Sequence, residues 1–157
     1  MDHDLARAIE RNQQLVGIHL QAENAHRMEE TLATLHPECV FEDLPLGVTY
    51  RGREGARQHY RIWWEAFDVT VQGIARHWTT TGDMIAEARY LGHHVGSFYG
   101  LEATQRTIDL RFAVFITFAD GFILGEKFYY DLSGLLQQLG VARLPRNQGL
   151  VLPSALA

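Results

Sequence analysis

Arg106-Thr-Ile-Asp-Leu-Arg-Phe-Ala-Val-Phe-Ile-Thr-Phe-Ala-Asp-Gly-Phe-Ile-Leu-Gly-Glu-Lys-Phe-Tyr-Tyr-Asp131 decides how this chain folds. Ile108, Leu110, Phe112, Val114, Ile116 and Phe118 recur at every second position, the period of a strand with one face on a core. Asp120-Gly121 interrupts the run, and Asp-Gly between two alternating segments is a strong hairpin signal. The second strand, 122–131, is rich in aromatics and ends in a carboxylate, Asp131, directly before a short amphipathic helical segment closing at Gln137–Gly140.

Upstream, the period of two persists back to Val69. Residues 69–79 and 84–95 read as two more long strands, joined by the turn Thr80-Thr-Gly-Asp83, with a longer connection over 96–104. Before Val69 the period is helical. Over residues 3–22, Leu5, Ala8, Ile9, Asn12, Leu15, Val16, His19 and Leu20 share one face, which sets His19 within the apolar stripe. A second helix covers 26–35 with Met28, Leu32 and Leu35 inward, and Pro37 stops it. Residues 39–43 form a short strand and Leu44-Pro-Leu-Gly47 a turn. Residues 50–53 lead into a third helix ending near Phe67, with Ala56, Tyr60, Trp63, Trp64 and Phe67 along one side. Helices followed by an antiparallel meander imply an α+β layer architecture. One domain over 1–142 is expected, with a tail over 143–157 that has two prolines and no periodicity.

The length of 157 residues suits one core, and 46% apolar with 21% charged residues is ordinary for a globular chain. A net charge of −5 without a like-charge block gives no reason to expect nucleic acid or an anionic membrane as partner. Cys39 is the single cysteine, so no intramolecular disulfide forms and a reducing, cytoplasmic setting is expected. The first residues carry no signal or transit pattern, and no apolar run reaches the ~20 residues needed to span a bilayer. Histidines at metal-ligand spacing, a G-x-S-x-G motif and a glycine-rich phosphate loop are all missing, so neither metal nor cofactor is expected.

Four stretches, in this order and spacing, carry a family resemblance: His36-Pro-Glu-Cys-Val-Phe-Glu-Asp43; Tyr50-Arg-Gly-Arg-Glu54; Gly92-His-His-Val-Gly96 with Phe98-Tyr-Gly-Leu101; and Asp120-Gly121 with Glu126, Tyr129-Tyr-Asp131 and Gly134-Leu-Leu-Gln-Gln-Leu-Gly140. Over about residues 5–140 the chain resembles the SnoaL-like polyketide cyclases of the nuclear-transport-factor-like, ketosteroid-isomerase-like superfamily. The resemblance implies a cone-shaped fold in which N-terminal helices pack on a curved antiparallel sheet around a pocket. It also implies acid/base cyclisation or isomerisation of a small apolar carbonyl or polyketide-like compound. The alternative is a binding or accessory protein of the same fold, and homodimers are common in that fold.

By resemblance, Asp131 matches the cyclases' general acid/base, a role that needs a partly desolvated carboxylate. An Asp directly before a helix is equally a favoured cap, and a capping hydrogen bond stabilises its charged form. Asp43 lies in a segment similar to that bearing the base of ketosteroid isomerases. The matching oxyanion-hole positions fall on His19, which can donate, and on Val114, which cannot, so ordinary steroid isomerisation is disfavoured. Asp43 could equally be a turn residue bonding its own backbone. The resemblance matches His94 to the family's pocket histidine; strand parity sets it opposite His93. Parity also separates Glu126, Phe128 and Tyr130 from Lys127, Tyr129 and Asp131. Glu126 and Asp131 therefore cannot both enter one pocket without a bulge, and Glu126 is set aside. His19, Tyr60, Trp63, Trp64, Phe98, Phe112 and Tyr129 are the expected substrate contacts, with ordinary core packing as the competing role for the aromatics. Epoxide hydrolysis, known in this fold, would need Arg-x-Asp where Arg89-Tyr-Leu91 stands.

Overall fold

A computed structural model describes residues 3–141; the expected tail over 143–157 lies outside them. The elements are α1 (His3–Asn24), α2 (Met28–Ala33), β1 (Leu35–Asp43), β2 (Val48–Arg51), α3 (Gly52–Phe67), β3 (Thr70–Trp78), β4 (Met84–His93), β5 (Thr107–Ala119), β6 (Phe122–Tyr130) and α4 (Leu132–Gln138). One six-stranded sheet has the order β2-β1-β6-β5-β4-β3. Its β3–β6 part is the expected antiparallel meander. The sheet as a whole is mixed, because β1 enters parallel to β6, pairing Phe41 with Glu126 and Asp43 with Phe128.

Two readings of the N-terminal third change. Pro37 does not stop α2; that helix ends at Ala33, and Pro37 lies inside β1, which starts at Leu35. The register slips between Leu35 and Val40, a bulge region where a missing N–H is tolerated. Tyr50 and Arg51, read with 52–53 as a lead-in to helix, belong instead to the edge strand β2 (Val48–Arg51) against β1.

The alternation in β5 and β6 fixes the inside of the sheet. Ile108, Leu110, Phe112, Val114 and Ile116 of β5 and Ile123, Glu126 and Phe128 of β6 are buried, while Phe115 and Tyr129 stay exposed on the outer face. Asp120 and Gly121 both adopt the left-handed conformation (φ 52° and 80°), which the two-residue hairpin requires. The helices cover the inner face. Asn24, closing α1, donates to the Val71 carbonyl at 3.0 Å and accepts from the Val71 N–H at 2.6 Å. Its amide thus docks on edge strand β3 as a neighbouring backbone would. Arg53 of α3 reaches back to the Leu35 carbonyl at 2.9 and 2.7 Å. Gly92 and Gly96 let β4 and the following loop lie against the C-terminal turn of α3, close to the Phe67 and Glu65 carbonyl oxygens.

Asp131 is exposed and is the N-cap of α4, accepting the Gly134 N–H at 2.9 Å. Of the two roles open to it, the structure takes the cap.

Two substitutions check this packing by urea denaturation. Asp131→Ala removes one cap hydrogen bond and lowers stability by about 1 kcal/mol, with no change in ligand binding. Gly92→Ala drives a methyl group into the Phe67 carbonyl and costs about 1–3 kcal/mol. Parent-like stability in Gly92→Ala would contradict the close approach of β4 to α3.

Candidate active site

Small side chains create the cavity. On the inner faces of β3 and β4, Gly73, Ala75, Ala86 and Ala88 stand where larger residues would meet α1, leaving a cavity of about 60 Å³. Its walls come from α1 (Val16, Leu20), β4 (Met84, Tyr90), β5 (Phe112, Val114, Ile116) and β6 (Phe128), and its rim lies at β3, where Gly73 and Arg76 are exposed. Among the ionisable groups lining this space, a buried histidine and two buried carboxyls stand out: His19 and Glu23, one helical turn apart on α1, and Glu126 from the middle of β6.

Hydrogen-bond accounting fixes the His19 tautomer. The Thr34 hydroxyl donates to the Thr31 carbonyl at 2.6 Å, so its oxygen can only accept from His19 Nδ1, also at 2.6 Å. The proton of the neutral ring therefore sits on Nδ1, and Nε2 accepts the Tyr60 hydroxyl at 3.1 Å. Glu126 Oε1 and Glu23 Oε2 lie 3.5 and 3.7 Å from that same Nε2, which has no hydrogen to give them. Burial drives all three groups toward neutrality. His19 is pulled down to about 4 by burial, against the opposing effect of the Thr31 carbonyl. Glu23 is pushed up to about 8 by burial. Glu126 is raised well above the usual carboxylate range by burial and then by the charge of Glu23. Neutral His19 and two protons held on carboxyls at pH 7 are the resulting state. Tyr60 and Tyr90 are likewise held protonated, by burial and the adjacent carboxylates.

The expected site residues are distributed as follows. His19 and Phe112 line the cavity, and Tyr60 reaches it through His19. Asp43 is 2% exposed but lies elsewhere, at the end of β1. It accepts the Tyr130 hydroxyl at 2.8 and 3.0 Å and the Leu46 N–H at 3.2 Å, so the turn role expected of an Asp there is present as well. Burial raises its pKa, and these two donors oppose the rise. The rings of Phe41, His59 and Phe128 pack together between β1, α3 and β6, with His59 stacked on Phe128 at 5.0 Å. His59 is buried, neutral down to about 3, and neither ring nitrogen has a partner among the described residues.

His94 does not enter the cavity. It is fully buried beyond the end of β4 against Phe67, and its Nδ1 accepts the Thr104 N–H at 3.1 Å, pinning the connection to β5. Trp63 stacks on Tyr90 at 5.1 Å and packs against Phe98; Trp64 stacks on His26 at 4.7 Å, away from the cavity. Tyr129 faces outward against Phe115. Arg89 pairs with Asp109, both well exposed, so the Arg89-Tyr-Leu91 segment does not present its guanidinium to the cavity. Among the described residues, no group of His, Cys, Asp and Glu is arranged to hold a metal ion, and no helix is long and apolar enough to cross a membrane.

Glu23 and Glu126 are the residues that the sequence reading left out. Both had a signal. Glu23 follows His19 by four residues and so lies on the same apolar stripe. Glu126 shares strand parity with Phe128, an aromatic that belongs inside. Parity was right to separate Glu126 from Asp131, and the member that enters the cavity is Glu126.

Comparison with known proteins agrees with this architecture. A polyketide cyclase-like protein from Xanthomonas campestris pv. campestris superposes with a TM-score of 0.77 at 22% identity, over 84% of this chain and 98% of its own. A SnoaL-like protein from Jannaschia sp. CCS1 gives 0.73 at 18% identity, over 85% and 94%. A protein with a ketosteroid isomerase-like fold from Catenulispora acidiphila, solved in complex with trimethylamine, gives 0.70 at 19% identity, over 82% and 93%. No curated protein matches the chain in sequence. The sequence profile described as SnoaL-like polyketide cyclase matches residues 13–139, most of the chain, and the protein belongs to that family.

Proposed function

We propose that this protein is an acid/base enzyme that enolises a small carbonyl compound in the α1 cavity, as a cyclase or isomerase of aldol type. One observation carries the reading: two buried carboxyls, Glu23 and Glu126, lie beside the same nitrogen of a neutral histidine in an apolar cavity. Two like groups whose environments push their pKa values apart divide the acid and base roles between them. Glu23, which releases its proton at about 8, is the base that takes a proton from the carbon next to the carbonyl. Glu126, which keeps its proton longer, donates it to the carbonyl oxygen as the enol forms. His19 and Tyr60 anchor the floor of the site through their hydrogen bond. The roles first expected of Asp131 and His94 have no support from their positions, and Asp43 lies outside the cavity. A cavity of about 60 Å³ favours a compact substrate, or one compact end of a larger one, over a multi-ring polyketide held whole.

A second reading, a binding module without chemistry, is favoured by the relative solved with trimethylamine. Turnover separates the two. The outer sheet face, with Phe115 and Tyr129 exposed, is where we place the contact of a homodimer.

Deuterium exchange next to the carbonyl of small ketones, followed by proton NMR, tests the enzyme reading without knowledge of the natural substrate. The protein should accelerate exchange well beyond buffer. The rate should rise with pH and level off above about 8 as Glu23 ionises. Glu126→Gln and Glu23→Gln should each reduce it by about 100-fold or more. Exchange no faster than in buffer, or unchanged in both variants, would sink the enzyme reading.

Stability gives an independent check. In the unfolded chain Glu23 ionises near its ordinary value, while in the folded chain it holds its proton to about 8. The folded state then binds more protons, so this group's contribution to stability falls as pH rises across that window. Glu23→Gln should therefore raise stability at pH 8 and flatten its decline between pH 6 and 8. A denaturation series showing the same slope in parent and variant would contradict the buried neutral carboxyl.

A further inference from the structure

Every hydrogen in the cavity floor is committed. His19 gives its ring proton to Thr34, Thr34 gives its own to the Thr31 carbonyl, and the Tyr60 hydroxyl gives its own to His19 Nε2. Glu23 and Glu126 are each about nine-tenths buried or more, and no hydrogen bond from a described residue reaches either carboxyl. The remaining walls are apolar or aromatic: Tyr90, Phe112 and Phe128 stand around the space with Val16, Val114 and Ile116. The cavity thus holds two carboxyls and π-faces without a buried cation, and its remaining hydrogens are those of the carboxyls themselves and of the Tyr90 hydroxyl. Charged groups at its border do not make up the deficit. Glu87 is engaged by Arg111, and Arg76 sits at the exposed rim on β3.

We infer that the cavity takes a small protonated amine, whose N–H groups and charge complete the Glu23–Glu126 pair while its alkyl groups lie against the aromatic wall. The pair supplies the counter-charge, and the rings add the attraction of their faces for a cation. Ordered water needs about 10–15 Å³ per molecule, so about 60 Å³ admits an amine of about four to six non-hydrogen atoms. The inference rests on the reading of this cavity as the working site and specifies what the substrate carries there: an amine-bearing carbonyl compound rather than a purely apolar one.

Binding a cation to a carboxyl that is neutral in the empty cavity must release a proton. The groups facing the pair are His19, Tyr60 and Tyr90, with the buried Cys39 of β1 near Glu126. None of them is a cation at pH 7, so the released proton goes to solvent. Amine affinity should therefore rise about tenfold per pH unit up to about pH 8.

Isothermal titration with isopropylammonium chloride and with its neutral counterpart propan-2-ol, at constant ionic strength, tests this. At pH 8.5 the amine should bind at least tenfold tighter than the alcohol; below pH 8 it should weaken about tenfold for each unit of pH, and at pH 7 it should show a buffer-dependent heat approaching one proton released. Glu126→Gln and Glu23→Gln should remove the preference for the amine, with parent-like circular dichroism and a cooperative urea transition showing that the variants are folded. Equal binding of amine and alcohol, an amine affinity flat with pH, or a preference that survives both variants would overturn the inference. Ketone exchange that persists with no amine binding overturns the ligand class alone. The absence of both overturns the assignment of the cavity as well.

Discussion

The Thr34 hydroxyl has one hydrogen, and the Thr31 carbonyl 2.6 Å away takes it. That commitment makes Thr34 an acceptor for His19, fixes the histidine proton on Nδ1, and turns Nε2 toward Tyr60 as an acceptor. Two glutamates then face a nitrogen that cannot donate to them. In water this would matter little. In a space walled by Tyr90, Phe112, Phe128 and Val114, burying an ion with no cation beside it costs several kcal/mol, so the carboxyls keep their protons. The acid/base reading, the amine inference and the pH dependence of stability all follow from that burial beside a nitrogen that cannot donate.

The fold places these groups with few parts. The turn at 34 belongs to the junction of α2 and β1, His19 and Glu23 to successive turns of α1, Tyr60 to the middle of α3 and Glu126 to the middle of β6. Asn24 holds α1 against β3 through two hydrogen bonds to Val71. The space between helix and sheet survives because β3 and β4 carry Gly73, Ala75, Ala86 and Ala88 opposite the helix. A buried acid pair is a standing cost to stability, the kind of local conflict expected at a working site.

The fold was legible because its signals are local. Strict alternation in β5, the Asp-Gly turn and the helical stripe of α1 each state their own structure. Where a partner strand decides, the sequence was silent. The parallel pairing of β1 with β6, the strand character of 48–51 and the tolerance of Pro37 in β1 depend on register between distant segments. The site was legible only in part. His19, Tyr60 and Phe112 were found from stripe and parity, which hold within one element. Asp131 carried two readings, and only the geometry of the α4 N-terminus, where Gly134 offers its N–H, decides for the cap. Glu126 and Glu23 come together from elements about a hundred residues apart, a meeting that spacing alone does not reveal.

The proton inventory of the cavity is the central claim, and a carbon-13 and nitrogen-15 NMR pH titration of the Glu23 and Glu126 carboxyls and the His19 ring measures it directly. The account predicts that Glu23 titrates near 8, that Glu126 titrates higher, and that His19 stays neutral with its proton on Nδ1 down to about pH 4. Both carboxyls titrating in the ordinary range, with His19 an imidazolium at pH 7, would contradict it.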